Sequence, residues 1–245
     1  MHIRIINPNT TASMTDKIGR AAAAVAAPGT RIEARNPSMG PASIESHYDE
    51  ALAVPGLLTE IEAGNAEGAD GFVIACFGDP GLDAARELAN GPVIAIAEAA
   101  MHTASFLGRG FSVVTTLGRT TGRAWELAER YGMHRFCRNV RACEVPVLDL
   151  ELPDSPARQR ILAECKLAVE DDGADAIVLG CAGMADLCAE LTAELGVPVV
   201  DGVAAATKQV EALVAQGLTT SRRLEYANPL PTTYVGLLEP FGRRA

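Results

Sequence analysis

A chain of 245 residues, 48% hydrophobic and 21% charged, carries enough apolar material for one large α/β unit or two lobes of about 110 residues each. Its net charge of −10 leaves no basic stripe to neutralise phosphates, so nucleic acid is not an expected partner. No run approaches the roughly 18 apolar residues of a membrane span, Met1-His2-Ile3-Arg4-Ile5-Ile6 lacks a signal-peptide layout, and the six cysteines form no disulfide framework; the expectation is a cytoplasmic protein with free thiols and no membrane contact.

In chain order, residues 3–6 read as a short apolar strand ending in the polar turn Asn7-Pro8-Asn9-Thr10-Thr11, which suits a helix N-cap. An Ala-rich helix over 12–26 stops at Pro28-Gly29, and 31–35 alternates as a strand. The segment 36–48, containing Met39, Ile44 and His47, has no period; irregular stretches of that length are commonly binding loops. A helix over 54–67 leads to the apolar strand 72–75, which does not alternate, as expected of a parallel strand covered on both faces. Asp79-Pro80 reads as an N-cap and first-turn proline for a helix over 81–89; strand 93–97 and helix 98–107 follow.

The order then repeats. Strand 111–115 ends in Thr115-Thr116-Leu117-Gly118-Arg119-Thr120, helix 121–131 follows, and a weaker strand lies near 140–145. After helix 156–171 come strand 177–179, a helix to Leu195, strand 199–200 and helix 203–216. From Leu224 onward the tail is proline-rich and without period, as for a segment that wraps a surface or meets a neighbouring subunit. Strands alternating with helices specify parallel sheets flanked by helices. The fold class is therefore α/β with two pseudo-symmetric lobes, one of residues 1–98 with about 203–245 and the other of 99–202, and a site in the cleft between them.

The repeat is most legible at GFVIACFGD (71–79) and AIVLGCAGM (176–184). Each follows an Asp and sets Cys, one residue, then Gly after a strand, so that Cys76 and Cys181 are equivalent and 105 residues apart. Ligands bind beyond the carboxyl ends of parallel strands, where both thiols and both polar turns would lie. A thiol between a strand and a helix N-terminus is expected to ionise below its usual pKa of about 8.5. Two such thiols facing one carbon acid can take a proton from one face and return one to the other. The enolate between those steps needs hydrogen-bond donors, which turns around Gly78 and Gly183 can supply. Cys137, Cys143, Cys165 and Cys188 lack that repetition and read as packing residues; none has zinc-ligand spacing, and no metal is expected. Asp79 reads as a cap rather than a base, His47 as a surface or interface residue, and Trp125 as helix packing.

This pattern resembles the aspartate/glutamate racemase superfamily and, within it, the hydantoin and allantoin racemase family. The matching text is INPNTT (6–11), MGPASIESHYDEA (39–51), ACFGDPGLDAARE (75–87), SVVTTLGRT (112–120) and LGCAGM (179–184), and it covers the chain to about Gly217. The resemblance implies cofactor-independent racemisation of a small substrate, a 5-monosubstituted hydantoin, at C5, with Cys76 and Cys181 as the acid–base pair. It also implies a homo-oligomer, a tetramer or hexamer. Substrate contacts are expected from Asn7, Pro8, Met39, Ile44, Phe77, Gly78, Thr115, Thr116, Leu117, Ala182 and Gly183. Amino-acid racemases of the superfamily follow their cysteines with Asn-Thr or Thr-His, whereas Phe77-Gly78 and Ala182-Gly183 stand here. That departure argues for a neutral cyclic diamide over a free acidic amino acid.

Allantoin, a hydantoin with a ureido arm, is the alternative substrate; Phe77, Met39 and Ile44 lean toward apolar arms. A maleate isomerase would use one cysteine as a nucleophile and leave a covalent adduct. An arylmalonate decarboxylase needs one thiol where two are matched. A two-lobed binding protein without chemistry would have no use for paired thiols, and a redox pair would have to close a disulfide across a substrate-wide gap.

Overall fold

The computed structural model describes residues 1–152 and 155–243. The first sheet comprises β1 (His2–Ile6), β2 (Arg31–Arg35), β3 (Gly71–Ile74) and β4 (Val93–Ala95), in the order β2-β1-β3-β4 with every pair parallel. The second comprises β5 (Phe111–Thr115), β6 (Cys137–Ala142), β7 (Ala176–Leu179) and β8 (Val199–Val200), in the order β6-β5-β7-β8, again parallel. The second order is the first with each number raised by four, so the repeat in the text is also a repeat of topology.

Helices α1 (Ala12–Val25), α4 (Ile96–Ser105), α5 (Thr121–Arg130) and α8 (Gly202–Ala215) lie between the sheets. Their small inward residues, among them Ala22, Ala97, Ala100, Ala124 and Ala206, merge with Ile3, Val73, Val113 and Val178 into one apolar core. Alanine at these contacts lets backbones approach closely, at little cost in side-chain entropy. Helices α2 (His47–Ala66) and α3 (Leu82–Leu88) cover the outer face of the first sheet; α6 (Ala157–Glu170) and α7 (Cys188–Leu195) cover that of the second. Although α8 comes last, it contacts β1, β3 and β4 as well as α4.

Five element boundaries depart from expectation. Helix α2 starts at His47 and not at 54, because Ser46 caps it: Ser46 Oγ accepts from Asp49 N–H at 3.2 Å and donates to Asp49 Oδ2 at 2.7 Å. Pro55 therefore lies inside the helix, where it withholds one N–H. Strand β4 ends at Ala95 and α4 begins at once. Strand β6 runs three residues earlier than the 140–145 reading, and a 3-10 turn, Ala182–Leu187, separates β7 from α7. The fifth concerns Asp79, which does not cap α3. Its carboxylate accepts from Ala97 N–H and Glu98 N–H, both at 3.0 Å, so it caps α4 across the structure, and Gly81 occupies the N-cap of α3.

Beyond α8 the tail forms two 3-10 turns, Leu224–Tyr226 and Gly236–Phe241, and one bridge between Thr232 and Arg243. It is tied to the first half by Arg222 on the Arg86 and Glu87 carbonyls, by Tyr226 on Asp83 and by Arg243 on Glu62. Leu224, Leu230, Val235 and Leu237 each remain at least 80% exposed. Among the described residues, no helix is long and apolar enough to cross a membrane.

Candidate active site

The carboxyl ends of both sheets open on one cleft with about 710 Å³ of empty space, counting its mouth. Cys76, two residues past β3, and Cys181, two past β7, both line it. They are held alike because their strands occupy the same place in the two sheets. Each thiol keeps part of its surface toward the cleft and is otherwise enclosed by protein. The four remaining cysteines are free as well; Cys137, Cys143 and Cys165 are buried, Cys188 partly so, and none lines the cleft.

The expected lowering of the thiol pKa is not found. Burial pushes Cys76 well above the ordinary thiol range, helped by the Glu50, Cys181 and Asp79 charges, while the Gly78 N–H on its sulfur works the other way. Burial also pushes Cys181 up, to about 11; Cys143 and Glu45 add to the rise, while the Gly183 N–H and the Lys17 ammonium oppose it. The physical reason is local. The helix after Cys76 begins only at Leu82, and Cys181 opens a 3-10 turn, so neither sulfur sits on a full helix N-terminus. Both thiols are protonated near neutrality, Cys181 being the easier to ionise.

Of the residues expected to touch substrate, Asn7, Ile44, Phe77, Gly78, Thr115 and Ala182 line the cleft with the two cysteines. Pro8, Met39, Thr116, Leu117 and Gly183 are not among the lining residues. Met39 is 48% exposed on the loop before α2, and Thr116 turns its backbone carbonyl to Val145 N–H. Asn7 is committed internally: its amide donates to Asn9 Oδ1 at 2.8 Å and Thr15 Oγ1 at 3.1 Å and accepts from Asn9 N–H. Asn9, also in the lining, has only the Met14 sulfur, a weak acceptor at 3.5 Å, for its own amide donor. Asn9 is therefore the better placed of the two to meet a carbonyl.

The rim is more polar than the text suggested. Glu45, Ser46, His47, Glu50, Arg119 and Arg123 all line it, and the first four fall within the 39–51 motif. Glu45 Oε1 accepts from Val147 N–H at 2.7 Å, joining the loop before α2 to the second half. Burial raises the Glu50 carboxyl, and Arg123, 3.5 Å away, opposes that. A side chain at position 78 would collide with the Glu50 carboxylate, so Gly78 is the residue that lets the acid approach. Nothing in the local text marks Glu50 or Arg123, because each gains its role from a contact with the other half. Among the described residues, no group of three or more His, Cys, Asp or Glu side chains is placed to hold a metal ion.

Known proteins resemble this chain over nearly its whole length. A family model described as Asp/Glu/Hydantoin racemase matches residues 3–210. The chain is 49% identical to a hydantoin racemase of Pseudomonas sp. (strain NS671), covering 99% of this chain and 98% of that protein. It is 52% identical to a hydantoin racemase of Rhizobium meliloti, over 94% of this chain and 95% of the relative. The solved structure of an allantoin racemase from Klebsiella pneumoniae superposes with a TM-score of 0.96 at 52% identity, covering 99% of each chain.

Proposed function

Since the chain belongs to the Asp/Glu/Hydantoin racemase family, we propose that it racemises 5-monosubstituted hydantoins at C5 without a cofactor, using Cys76 and Cys181 as the acid–base pair. The observation that carries the reading is a thiol at the same place in each half, both on one cleft. One thiolate takes the C5 proton, and the C–H electron pair moves into the ring as an enolate on the neighbouring carbonyl. The opposite thiol then delivers a proton to the other face. One sulfur ends protonated and the other ionised, so protons and charge balance. The Gly78 and Gly183 N–H groups, each of which opposes the rise of its thiol, stabilise whichever is the thiolate.

Cys76→Ser and Cys181→Ser are each expected to lower racemisation by about 10²-fold or more, the usual worth of a positioned acid or base. In D₂O, followed by NMR, each variant should still exchange the C5 proton of one enantiomer, and the two should favour opposite hands. Equal exchange of both hands by either variant would refute the two-base assignment.

Allantoin is the second reading. The polar rim, in which Arg119 makes no ion pair among the described residues, suits a ureido arm better than an alkyl one. Of the apolar residues thought to favour the opposite choice, Met39 lies outside the lining. Rates on enantiopure 5-benzylhydantoin and allantoin, followed in parallel by loss of optical rotation, decide between them.

We also infer a cytoplasmic homo-oligomer, a tetramer or hexamer. Six free thiols suit a reducing compartment, and the apolar side chains of the tail suit a subunit contact. The contacts of α8 with β1, β3 and β4 support assigning residues 1–98 with about 203–245 to one lobe and 99–202 to the other.

A further inference from the structure

Two cations cross between the halves and end on the same kind of atom. Lys17, on α1 beside the first sheet, extends Nζ to the Gly183 carbonyl at 3.3 Å and the Leu150 carbonyl at 3.3 Å, and pairs with Glu151 at 2.8 Å. Arg123, on α5 beside the second sheet, donates from Nη2 and Nε to the Gly78 carbonyl at 2.8 and 3.1 Å. Helices α1 and α5 are counterparts, each following the first strand of its half. Gly78 and Gly183 are counterparts too, each two residues past its thiol, and the backbone N–H of each favours the ionised form of that sulfur.

We propose that Lys17 and Arg123 are reciprocal positioning residues, each reaching from one half to fix the thiol turn of the other through its glycine carbonyl. The inference rests on reading Cys76 and Cys181 as the acid–base pair. Glycine lacks a Cβ to restrict its rotation, so a turn with Gly at this place has little intrinsic stiffness. Gripping the carbonyl on one side of the Gly Cα restrains the N–H on the other side, which favours the thiolate. The arginine fork does this with two donors, the lysine with a point charge. The two thiols thereby differ: an ammonium stands near Cys181, whereas Cys76 faces Glu50, whose charge Arg123 offsets from 3.5 Å.

These cations do more than join the halves, since other contacts join them without touching either turn. Arg130 grips Asp83 at 2.7 Å, and Glu45 holds Val147 N–H at 2.7 Å. Arg130→Gln is accordingly the control for loss of a plain link.

The test is alkylation of the folded full-length protein by iodoacetamide from pH 7 to 10, with each cysteine read separately by peptide mass spectrometry. Lys17→Gln should slow Cys181 about tenfold, the change one pKa unit makes in thiolate fraction, and leave Cys76 within about twofold. Arg123→Gln should slow Cys76 by a similar factor and spare Cys181. Lys17→Arg should restore Cys181, Glu50→Gln should speed Cys76 alone, and Arg130→Gln should move neither thiol. Lys17→Met and Arg123→Met, which keep the alkyl stems, serve if the glutamine variants do not fold. Equal slowing of both thiols by either substitution, or no change in either, would overturn the proposal. Alkylation needs no substrate, so this outcome is independent of the exchange experiment on which the racemase reading stands.

Discussion

Asp79 illustrates how much one side chain can be asked to do. It is 2% exposed, has a left-handed backbone with φ 47°, and collects the first N–H groups of α4 and the Tyr131 hydroxyl. Burial lifts its carboxyl from an ordinary 3.8 to about 7, against those three hydrogen bonds. Between these values the folded chain holds a proton that the unfolded chain has released, so this residue's contribution to stability falls as pH rises from about 4 to about 7. Asparagine does not titrate, although its single acceptor leaves at least one donor unmet, at a cost of about 1–3 kcal/mol at any pH. Asp79→Asn should therefore melt below the parent at pH 5, with the gap in Tm narrowing toward pH 8. A gap that widens with pH would mean that the carboxylate is charged throughout.

At the scale of elements, the cap on α2 sets the mouth of the cleft. Ser46 and Asp49 bond reciprocally, and Asp49 Oδ2 also accepts from Glu45 N–H at 3.1 Å, so the turn that carries Glu45 and His47 is fixed where the helix starts. Ser46→Ala should cost about 1 kcal/mol of stability, read from denaturant unfolding, and should raise KM more than it lowers kcat because the rim loosens. A kcat effect alone would separate the cap from substrate binding. This cap was in the text as Ser-x-x-Asp, yet the aperiodic stretch in which it lies hides the helix start at 47. Strands β1, β3, β5 and β7 were legible because apolar runs bounded by turns leave few alternatives. The cap role of Asp79 was misread, because its true partner, α4, is near in space and 17 residues further along the chain.

Seen whole, the molecule is two copies of one parallel-sheet plan closed over a shared Ala-rich core. The repeat of Cys-x-Gly is enough to pair Cys76 with Cys181 from the sequence, since a duplicated sheet carries its duplicated turn to a corresponding place. The rest of the cleft was less legible. Lys17, Glu50 and Arg123 matter through contacts between the halves, and no local period or spacing encodes those. The burial that raises both thiols was hidden for the same reason, because it depends on what the whole fold packs around each sulfur.

The path of the backbone between the halves has a consequence for how the protein could be divided. It passes over once before β5 and returns with α8, whose side is set against β1, β3 and β4. Severing the first passage near Gly108 would leave an amino-terminal piece without its last helix and a carboxyl-terminal piece with that helix exposed. Neither fragment should be soluble when produced alone, and the two produced together should assemble into an active enzyme, as measured by co-purification and loss of optical rotation. The chain is, in effect, a split reporter that has not yet been split.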